Sequence, residues 1–362
     1  QDYYKGYEKD TFSSFFDRDL AFSKPRGRLG FMSPFVWMFI SRYDYLRIRL
    51  ISGETITSLV QLEYSGFEGA TVPICTFTLQ KGHVEGHSGC FIRLSDFRGA
   101  DNQGPKTLET IRDRGCGWFF EAAQDDFREI PGSPIAYWAS EAIRRCFSEH
   151  RRLEEIIETR EGLTTGSNDA FLRLWWEVSR SDIASTAWRQ LADHPQDSHW
   201  YPFTKGGEFR RWAGNVIHVV DWENDGARAR EFADPATGRV RSHNYNGEYA
   251  FRPGFTWSAI SSALFAARNV PGGHMFDTKG PMGFARAGEE TYSTQSLLNS
   301  NVVMHLVKMM APTLDFKLGH ILNMPYVDVR EAPSVAKECI ALSEPDWDAY
   351  ERSWDFQSLP LL

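Results

Sequence analysis

The sequence has no long apolar segment and no recognisable targeting segment. Its longest apolar stretch, residues 30–40, is interrupted by Ser33 and Pro34 and is well short of the roughly 18 residues that a membrane span requires. The first residues, QDYYKGYEKD, alternate in charge and contain no apolar block typical of a secretory signal. We therefore expect a cytoplasmic protein that does not associate with membranes.

Cysteine is scarce and forms no recognisable pattern. The five cysteines are far apart in sequence and none forms a C-x-x-C pair: Cys75, Cys90, Cys116, Cys146 and Cys339. Such spacing fits free thiols in a reducing compartment rather than a disulfide framework. His83, His87 and Cys90 have a spacing that could hold zinc. No fourth ligand follows at a matching spacing and glycines flank the group, so we expect an exposed turn without a metal.

An excess of basic residues, which would favour binding of nucleic acid by bulk attraction, is also absent. The chain has 40 basic and 48 acidic residues, a net charge of −8. Residues 331–362 hold two of the basic and seven of the acidic residues, so residues 1–330 are close to neutral, with 38 basic against 41 acidic residues. We therefore treat residues 331–362 as a separate acidic C-terminal segment.

The first part of the chain alternates between helical and strand patterns. The predicted elements are, in order, a helix at 12–22, a strand at 28–32, a helix at 41–50, and strands at 55–62 and 71–80. The glycine- and histidine-rich stretch 81–89 predicts a turn between two antiparallel strands, the second at 90–94. Strands that alternate with helices indicate a doubly wound sheet, of which this chain holds only part.

The pattern changes beyond residue 135. A charged helical stretch predicts a connecting helix at 136–160. After it, short strand candidates such as Val216–Trp222 alternate with turns such as Asn224–Gly226, and a longer helix is predicted at Thr294–Met310. These features predict a loop-rich second domain.

Cations and glycines come together once in the second domain. Lys205, Gly206 and Gly207 are followed closely by Arg210 and Arg211. Two glycines let a backbone approach a phosphate, and the three cations can pair with it. A surface turn with solvated charges is an equally open interpretation.

Two further groups of the second domain permit a binding role. Its tryptophans could stack on bases or sugars, although tryptophan more often belongs to a core: Trp175, Trp176, Trp188, Trp200, Trp212, Trp222 and Trp257. The stretch 164–168 supplies hydroxyl and amide groups at the start of the domain, where a helix-capping loop is the simpler explanation.

Several longer blocks carry a family resemblance. In order along the chain they are ITSLVQLEYSGFEGATVPICTFTLQ, IRLSDFRGADNQGPKTLE, GSPIAYWASE, GLTTGSNDAFLRLWWEV, WYPFTKGGEFRRWAGN, VVDWENDG, FRPGFTWSAISS and DWDAYERSWDF. These blocks resemble the large adenine-specific DNA methyltransferases of the BREX phage-defence systems, the PglX type. The resemblance is collinear and covers nearly the whole chain, so it is more specific than any single short motif.

The resemblance implies a γ-class enzyme that transfers a methyl group from S-adenosylmethionine to the N6 amine of adenine. In this family a glycine-rich S-adenosylmethionine motif and an Asn-Pro-Pro-Tyr catalytic motif precede the blocks found here, and neither is in this sequence. The nearest match, residues 323–326, has Met324 where the first Pro should be. We therefore expect a fragment, or a natural partial gene, that is inactive alone and does not bind the donor tightly.

The resemblance also implies the fold class and the domains. We expect an α/β protein with a partial doubly wound, Rossmann-like methyltransferase sheet, followed by a mixed α+β target-recognition domain. The expected parts are the end of the γ-class methyltransferase domain (1–135), a connecting helix (136–160), the DNA-binding recognition domain (161–330) and the acidic segment (331–362).

One side chain of the first part matches a functional position of the family. γ-class enzymes have an aromatic residue in a late motif that stacks on the adenine once it is flipped from the duplex, and Phe67 matches that position. A flat apolar ring can replace the stacking partners that an extruded base loses. The alternative is a core phenylalanine at the edge of a strand.

The recognition-domain blocks imply a set of DNA contacts. Arg and Lys pair with guanine edges and Asn with adenine edges, while Ser, Thr and backbone amides more often hold phosphates. The implied contacts are Thr165, Gly166, Asn168, Arg173, Lys205, Gly206, Gly207, Arg210, Arg211, Asn224, Arg241, Ser242, Asn244, Thr256 and Ser258. Alternatively these blocks are framework, and bases are read by the stretches between them, such as 181–198 or 228–238.

Double-stranded DNA is the partner that the resemblance implies, with methylation marking host DNA as self. A second hypothesis is a non-catalytic module that docks another BREX protein or a phage-encoded inhibitor that mimics DNA, which the near-neutral charge permits. A third is a carbohydrate-binding domain that uses Trp175 and Trp176.

Overall fold

The structure is a computed structural model that describes residues 10–67, 69, 72–184, 198–261, 264–286, 291–310 and 315–359. The chain divides into two compact units, the first Gln1–Glu149 with Met309–Pro312 and the second His150–Lys308 with Thr313–Leu362. Among the described helices, none is both long enough and apolar enough to span a bilayer. Each of the five cysteines is a free thiol.

The first unit is built on one five-stranded sheet. Its strands are β1 Arg28–Pro34, β2 Glu54–Gln61, β3 Ile74–Lys81, β4 Ser88–Arg93 and β5 Phe119–Ala123. Its helices are α1 Thr11–Phe22, α2 Asp44–Gly53, α3 Ala100–Arg112 and α4 Glu141–Glu149. The predicted helices and strands of the first 94 residues are therefore confirmed, with ends shifted by a few residues.

The pairing of these strands differs from the prediction. The order is β1-β3-β2-β4-β5, so β2 lies between β3 and β4, which were expected to pair as an antiparallel hairpin. Strand β4 instead runs parallel to β2 and antiparallel to β5. Three of the four neighbouring pairs are antiparallel, so the unit is mixed α/β and the doubly wound arrangement is not confirmed. Alternating hydrophobicity identifies a strand but not its neighbour.

A buried arginine of α2 forms hydrogen bonds to neighbouring segments of the first unit. The core includes Trp37 and Leu59, and Arg47 is only 1% exposed beside it. The Arg47 guanidinium donates to the carbonyls of Trp37, Ile40 and Gly132 and pairs with Asp44. Burial lowers the pKa of Arg47 to about 10, an effect that Asp44 opposes. One cation thereby satisfies three backbone carbonyls from two segments of the chain.

The predicted connecting helix is wrong in its extent. Of residues 136–160, only Glu141–Glu149 form a regular α-helix. The next residues form two strands of the second unit, β6 Arg151–Arg152 and β7 Ile157–Arg160. The charged stretch has a good helical composition, but pairing with strands more than 100 residues away overrides this local preference.

The described part of the second unit contains two four-stranded sheets and two short strand pairs. Its further strands are β8 Leu163–Thr164, β9 Leu172–Leu174, β10 Trp200–Thr204, β11 His218–Asp221, β12 His243–Asn244, β13 Gly254–Trp257, β14 Ala267–Val270, β15 Met275–Phe276, β16 Met282–Ala285 and β17 Pro325–Tyr326. One sheet has the order β15-β10-β11-β9 and the other β14-β13-β16-β7, while β12 pairs with β8 and β17 with β6.

Six α-helices occur among the described residues that follow β8: α5 Asn168–Phe171, α6 Glu223–Arg230, α7 Thr291–Leu298, α8 Asn301–Met310, α9 Leu318–Leu322 and α10 Ala332–Asp348. The helix predicted at Thr294–Met310 is two helices. The chain breaks at Asn299, whose side-chain amide bonds both the N–H and the carbonyl of Ala267 on β14. A tertiary hydrogen-bond requirement therefore interrupts a segment of helical composition.

The acidic segment 331–362 belongs to the second unit rather than standing apart from it. Helix α10 packs against α7, with the Lys337 ammonium 4.8 Å from the centre of the Tyr292 ring. After α10, the Trp354 indole donates to the Val216 carbonyl, and the Trp175 indole donates to the Arg352 carbonyl. The segment thus completes the fold of the second unit.

Candidate nucleic-acid interface

The glycine-rich stretch predicted as a phosphate contact forms a tight loop after β10, and we call residues 205–211 the Gly-Gly loop. Both glycines have a positive φ, 79° at Gly206 and 117° at Gly207. A Cβ on Gly206 would lie 2.9 Å from the Lys279 carbonyl oxygen, and a Cβ on Gly280 only 2.5 Å from the Gly206 nitrogen. The loop therefore needs glycine on both sides of this backbone contact.

Two residues of the β13–β14 hairpin donate hydrogen bonds to backbone carbonyls of the Gly-Gly loop. The Ser258 hydroxyl donates to the Gly207 carbonyl at 2.9 Å. Arg268 is 2% exposed and donates to Ser258 Oγ and to the Arg210 carbonyl, each at 3.4 Å. Burial lowers the pKa of Arg268 to about 10. Ser258, predicted as a DNA contact, thus has its hydroxyl engaged within the fold.

The cations of the Gly-Gly loop differ in their partners. Lys205 is half-buried, with Nζ 3.9 Å from Asp277 Oδ2; burial lowers the pKa of Lys205, and Asp277 opposes that shift. Arg211 lies over the Phe209 ring, its guanidinium carbon 5.7 Å from the ring centre. Arg210 pairs at 2.8 Å with Asp346 of the acidic segment. The structure therefore brings Lys205 and Arg211 together on one loop and directs Arg210 toward α10.

A second group of predicted contacts is assembled from distant parts of the sequence by the β8–β12 pair. The buried Thr165 hydroxyl donates to Asn168 Oδ1 at 2.9 Å, but no side chain caps the N-terminus of α5, so the simpler explanation of a helix-capping loop is not confirmed. A Cβ on Gly166 would lie 2.8 Å from the Arg241 backbone. Arg241 itself pairs with Asp234. That pairing, with two backbone N–H donors, lowers the pKa of Asp234 to about 2.

The remaining predicted contacts are partly framework. The buried Thr256 hydroxyl donates to the Pro281 carbonyl, and Ser242 is 7% exposed. Arg173 donates to two backbone carbonyls of its own segment. Asn224 is exposed, in the non-helical stretch of positive φ that covers residues 224–226 within α6, and Asn244 is half-buried on β12. Their contact with DNA stays a prediction, and the exposed members are the better candidates.

Phe67 lies in the loop that follows β2. Its side chain is 46% exposed, and the turn before it is fixed because Gln103 Oε1 accepts from the Glu63 N–H and Glu63 accepts from the Ser65 N–H. A Cβ on Gly66 would lie 2.9 Å from the Gln103 side chain. The position is exposed rather than a core position, and its role as a stacking residue stays a prediction.

The tryptophans divide between core and surface. Trp222 and Trp257 are buried, and the Trp257 indole donates to the Phe316 carbonyl. Trp176 is 47% exposed, while Trp188, with most of the 181–198 stretch, lies outside the described residues.

The sequence candidate for zinc has other partners. The His83 ring contacts the Gln124 amide at 3.0 Å and the Asp125 carboxylate at 3.4 Å. Within the part of the chain that the structure describes, no three His, Cys, Asp or Glu side chains are grouped to hold a metal ion.

Sequence reasoning missed several residues of this surface. Gly280 and Arg268 support the Gly-Gly loop from segments more than 50 residues away, and Trp347 and Tyr350 contact the Arg210 side chain. The signal available for the last two was the terminal block DWDAYERSWDF, in which acidic and aromatic residues alternate.

Solved structures of restriction-modification enzymes share this fold at low sequence identity. The Type IIL enzyme MmeI, solved in complex with DNA, has a TM-score of 0.55 and 10% identity over 95% of this chain and 45% of that chain. A nuclease-deletion mutant of the Type ISP enzyme LlaGI, solved with a DNA substrate mimic, has a TM-score of 0.52 and 12% identity over 92% of this chain and 31% of that chain.

Curated relatives match the chain from end to end, whereas no family model matches it. The adenine-specific methyltransferase PglX of Lacticaseibacillus casei (strain Zhang) is 36% identical over 99% of this chain and 30% of its own length. BrxX of Escherichia coli O9:H4 (strain HS), also an adenine-specific methyltransferase, is 30% identical over 98% of this chain and 28% of its own length. The chain thus spans about 30% of the length of these relatives. It is a homologue of a segment of the PglX-type adenine-specific methyltransferases, as its sequence blocks predicted.

Proposed function

We propose that this chain is the DNA-recognition portion of a site-specific N6-adenine DNA methyltransferase that marks host DNA in BREX defence. The homology to PglX and BrxX supports the class of enzyme. In this proposal the first unit is the end of the γ-class methyltransferase domain and the second unit contains the target-recognition domain. Phe67 is the proposed stacking residue for the flipped adenine.

The Gly-Gly loop is the observation that carries the proposal. It combines an exposed glycine backbone at Gly207 with the side chains of Lys205 and Arg211, and its shape is fixed by contacts to Ser258 and Gly280. A rigid loop with cations and accessible backbone is suited to a phosphate of the DNA backbone. MmeI, solved in complex with DNA, and LlaGI, solved with a DNA substrate mimic, share the fold and support DNA as the partner.

The described segment that comes nearest to the family's catalytic motif does not form a site for the methyl donor. Methyltransferases of this family use S-adenosylmethionine, and the nearest local match to the catalytic motif is residues 323–326. There Met324 is fully buried, its carbonyl accepts from the Leu153 N–H, and Pro325 pairs with Arg152 in the β6–β17 ladder. This segment is framework of the second unit, so the proposed role of the chain is recognition rather than methyl transfer.

Duplex binding at varied salt tests the proposal. We expect the chain to bind a labelled DNA duplex with an affinity that falls steeply as salt rises, because phosphate contacts release counterions. Replacing Lys205 or Arg211 by alanine is expected to weaken binding and to reduce the slope of log affinity against log salt by about one. Fluorescence anisotropy measures both quantities.

Arg330→Ala is the matched control, because Arg330 is an exposed cation of the same unit and is not part of the Gly-Gly loop. It should leave the salt slope unchanged. Absence of duplex binding at low salt would refute the DNA-reading role. The alternative role as a docking module for another BREX protein or for an acidic phage inhibitor would then be the better one.

The ion pair between Arg210 and Asp346 predicts a gain of DNA affinity. The carboxylate of Asp346 is 65% exposed and occupies Arg210 at 2.8 Å, where a phosphate could otherwise lie. Asp346→Asn should therefore strengthen duplex binding several-fold at low salt, in keeping with the modest strength of an exposed pair. Glu344→Gln removes an equal charge from the same helix without touching Arg210, so an equal gain in both variants would attribute the effect to net charge alone.

A further inference from the structure

A cleft of about 480 Å³ opens beside the Gly-Gly loop, with one wall from that loop and the other from the end of α10 and the turn after it. Cationic, aromatic and backbone groups all line it. Clefts from about 300 Å³ upward accept small organic molecules. The cleft is therefore larger than a bare phosphate needs and far too small for a duplex.

On one side of the cleft, two aromatic rings lie against a guanidinium group. The Arg210 guanidinium carbon lies 4.9 Å from the centre of the Trp347 ring and 5.3 Å from that of Tyr350. The two rings are 6.4 Å apart and inclined by 33°. Tyr350 remains 52% exposed, so part of its surface is open to a ligand. Flat aromatic and guanidinium surfaces of this kind stack on nucleobases.

Further positive charges line the same cleft. Arg352 is exposed, and among the described residues no carboxylate lies within ion-pair distance of it. Its backbone is held in place because its carbonyl accepts from the Trp175 indole and the next residue, Ser353, is buried and bonded to Asp348. Lys205 contributes a second cation, an ammonium group, from the opposite wall.

Arg210 pairs with Asp346 and Lys205 Nζ lies 3.9 Å from Asp277, so Arg352 supplies most of the net positive charge of the cleft. Glu208 is exposed at the rim, where solvent screens it, and its carbonyl accepts from the Asn215 amide. Burial and the nearby Lys205 lower the pKa of His218, so the imidazole is neutral at pH 7. The cleft therefore presents two cations and a flat ring surface, which together match a base that carries a phosphate.

We propose that this cleft binds one unpaired nucleotide, with its phosphate between Lys205 and Arg352 and its base against Tyr350 and the guanidinium of Arg210. The inference deepens the proposed function and rests on it, since the same loop would contact a duplex outside the cleft. The nucleotide is either free or part of a single strand, and both have the same chemistry.

Binding of 2′-deoxyadenosine 5′-monophosphate to the full chain tests this proposal by calorimetry. We expect measurable binding, a loss of about tenfold in Tyr350→Leu because the base loses its stacking surface, and no change in Arg330→Ala. Arg352→Ala should remove the preference for the monophosphate over 2′-deoxyadenosine, which lacks the phosphate. Circular dichroism checks that each variant is folded.

Each possible outcome either supports or overturns the proposal. No binding of the monophosphate at millimolar concentration, or binding that Tyr350→Leu and Arg352→Ala leave unchanged, overturns the proposal. Tighter binding of a short single strand than of the monophosphate supports it with a strand as the source, whereas equal binding supports it with a free nucleotide. Duplex binding is measured in parallel: its absence with the nucleotide still bound refutes the recognition role alone, and its presence without nucleotide binding refutes the cleft alone.

Discussion

Gly280→Ala is expected to lower duplex affinity at least tenfold. The added Cβ would lie 2.5 Å from the Gly206 nitrogen and 2.9 Å from the Lys205 carbonyl carbon and the Thr204 carbonyl oxygen. All three are backbone atoms, so no side-chain rotation relieves the clash, and the Gly-Gly loop must move away. Overpacking of this kind costs about 1–3 kcal/mol of stability. Anisotropy of a labelled duplex measures the affinity, and thermal unfolding measures the stability.

The control is a glycine in the same unit that has room for a side chain. A Cβ on Gly319, within α9, would have no atom within 4 Å. Gly319→Ala should therefore keep wild-type DNA binding and stabilise the unit by about 0.5–1 kcal/mol through helix propensity. Wild-type duplex affinity in a folded Gly280→Ala variant would show that the Gly-Gly loop does not contact DNA.

Arg47→Met is expected to destabilise the first unit by about 3 kcal/mol or more. Methionine has a similar volume, but the carbonyls of Trp37, Ile40 and Gly132 lose their donor. Trp37 is fully buried, so water cannot replace the arginine at its carbonyl. Hydrogen bonds from a charged donor contribute about 1.5–3 kcal/mol each, and a buried unsatisfied carbonyl adds a further cost.

Hydrogen–deuterium exchange followed by mass spectrometry reports the two units separately. In Arg47→Met, peptides of β2 and α2 should exchange faster while those of β10 and β11 keep their rates. Arg112→Met, at an exposed position at the end of α3, should leave both sets unchanged. Unchanged protection of α2 in Arg47→Met would mean that the guanidinium contributes little to the fold.

Local sequence patterns sufficed where a structural element depends on its own residues. The apolar spacing of residues 12–22 and the strand composition of residues 28–32 gave α1 and β1 nearly to the residue. Pairing could not be predicted in this way, because the place of β2 between β3 and β4 depends on contacts between segments and not on either strand alone. The β-strands at 151–152 and 157–160 were missed for the same reason.

In the candidate site, too, local features could be predicted from the sequence but contacts between distant segments could not. The spacing of Lys205, Gly206 and Gly207 was enough to single out the loop, because glycine is the residue type that most readily adopts a positive φ. The resemblance marked Ser258 as part of a motif, but not that its hydroxyl would be bonded to Gly207. The pairing of Arg210 with Asp346 was hidden because it joins residues 136 positions apart.

The contacts of the C-terminal segment determine when the second unit can fold during synthesis. The Trp354 indole bonds to the carbonyl of Val216, 138 residues earlier, and the Trp175 indole bonds to the carbonyl of Arg352, 177 residues later. Contacts of such long sequence separation form late, because closing a long loop costs entropy before the contact can form. While a ribosome is still producing residues 331–354, the cleft beside the Gly-Gly loop therefore lacks its second wall, and the second unit completes its folding only after that segment has emerged.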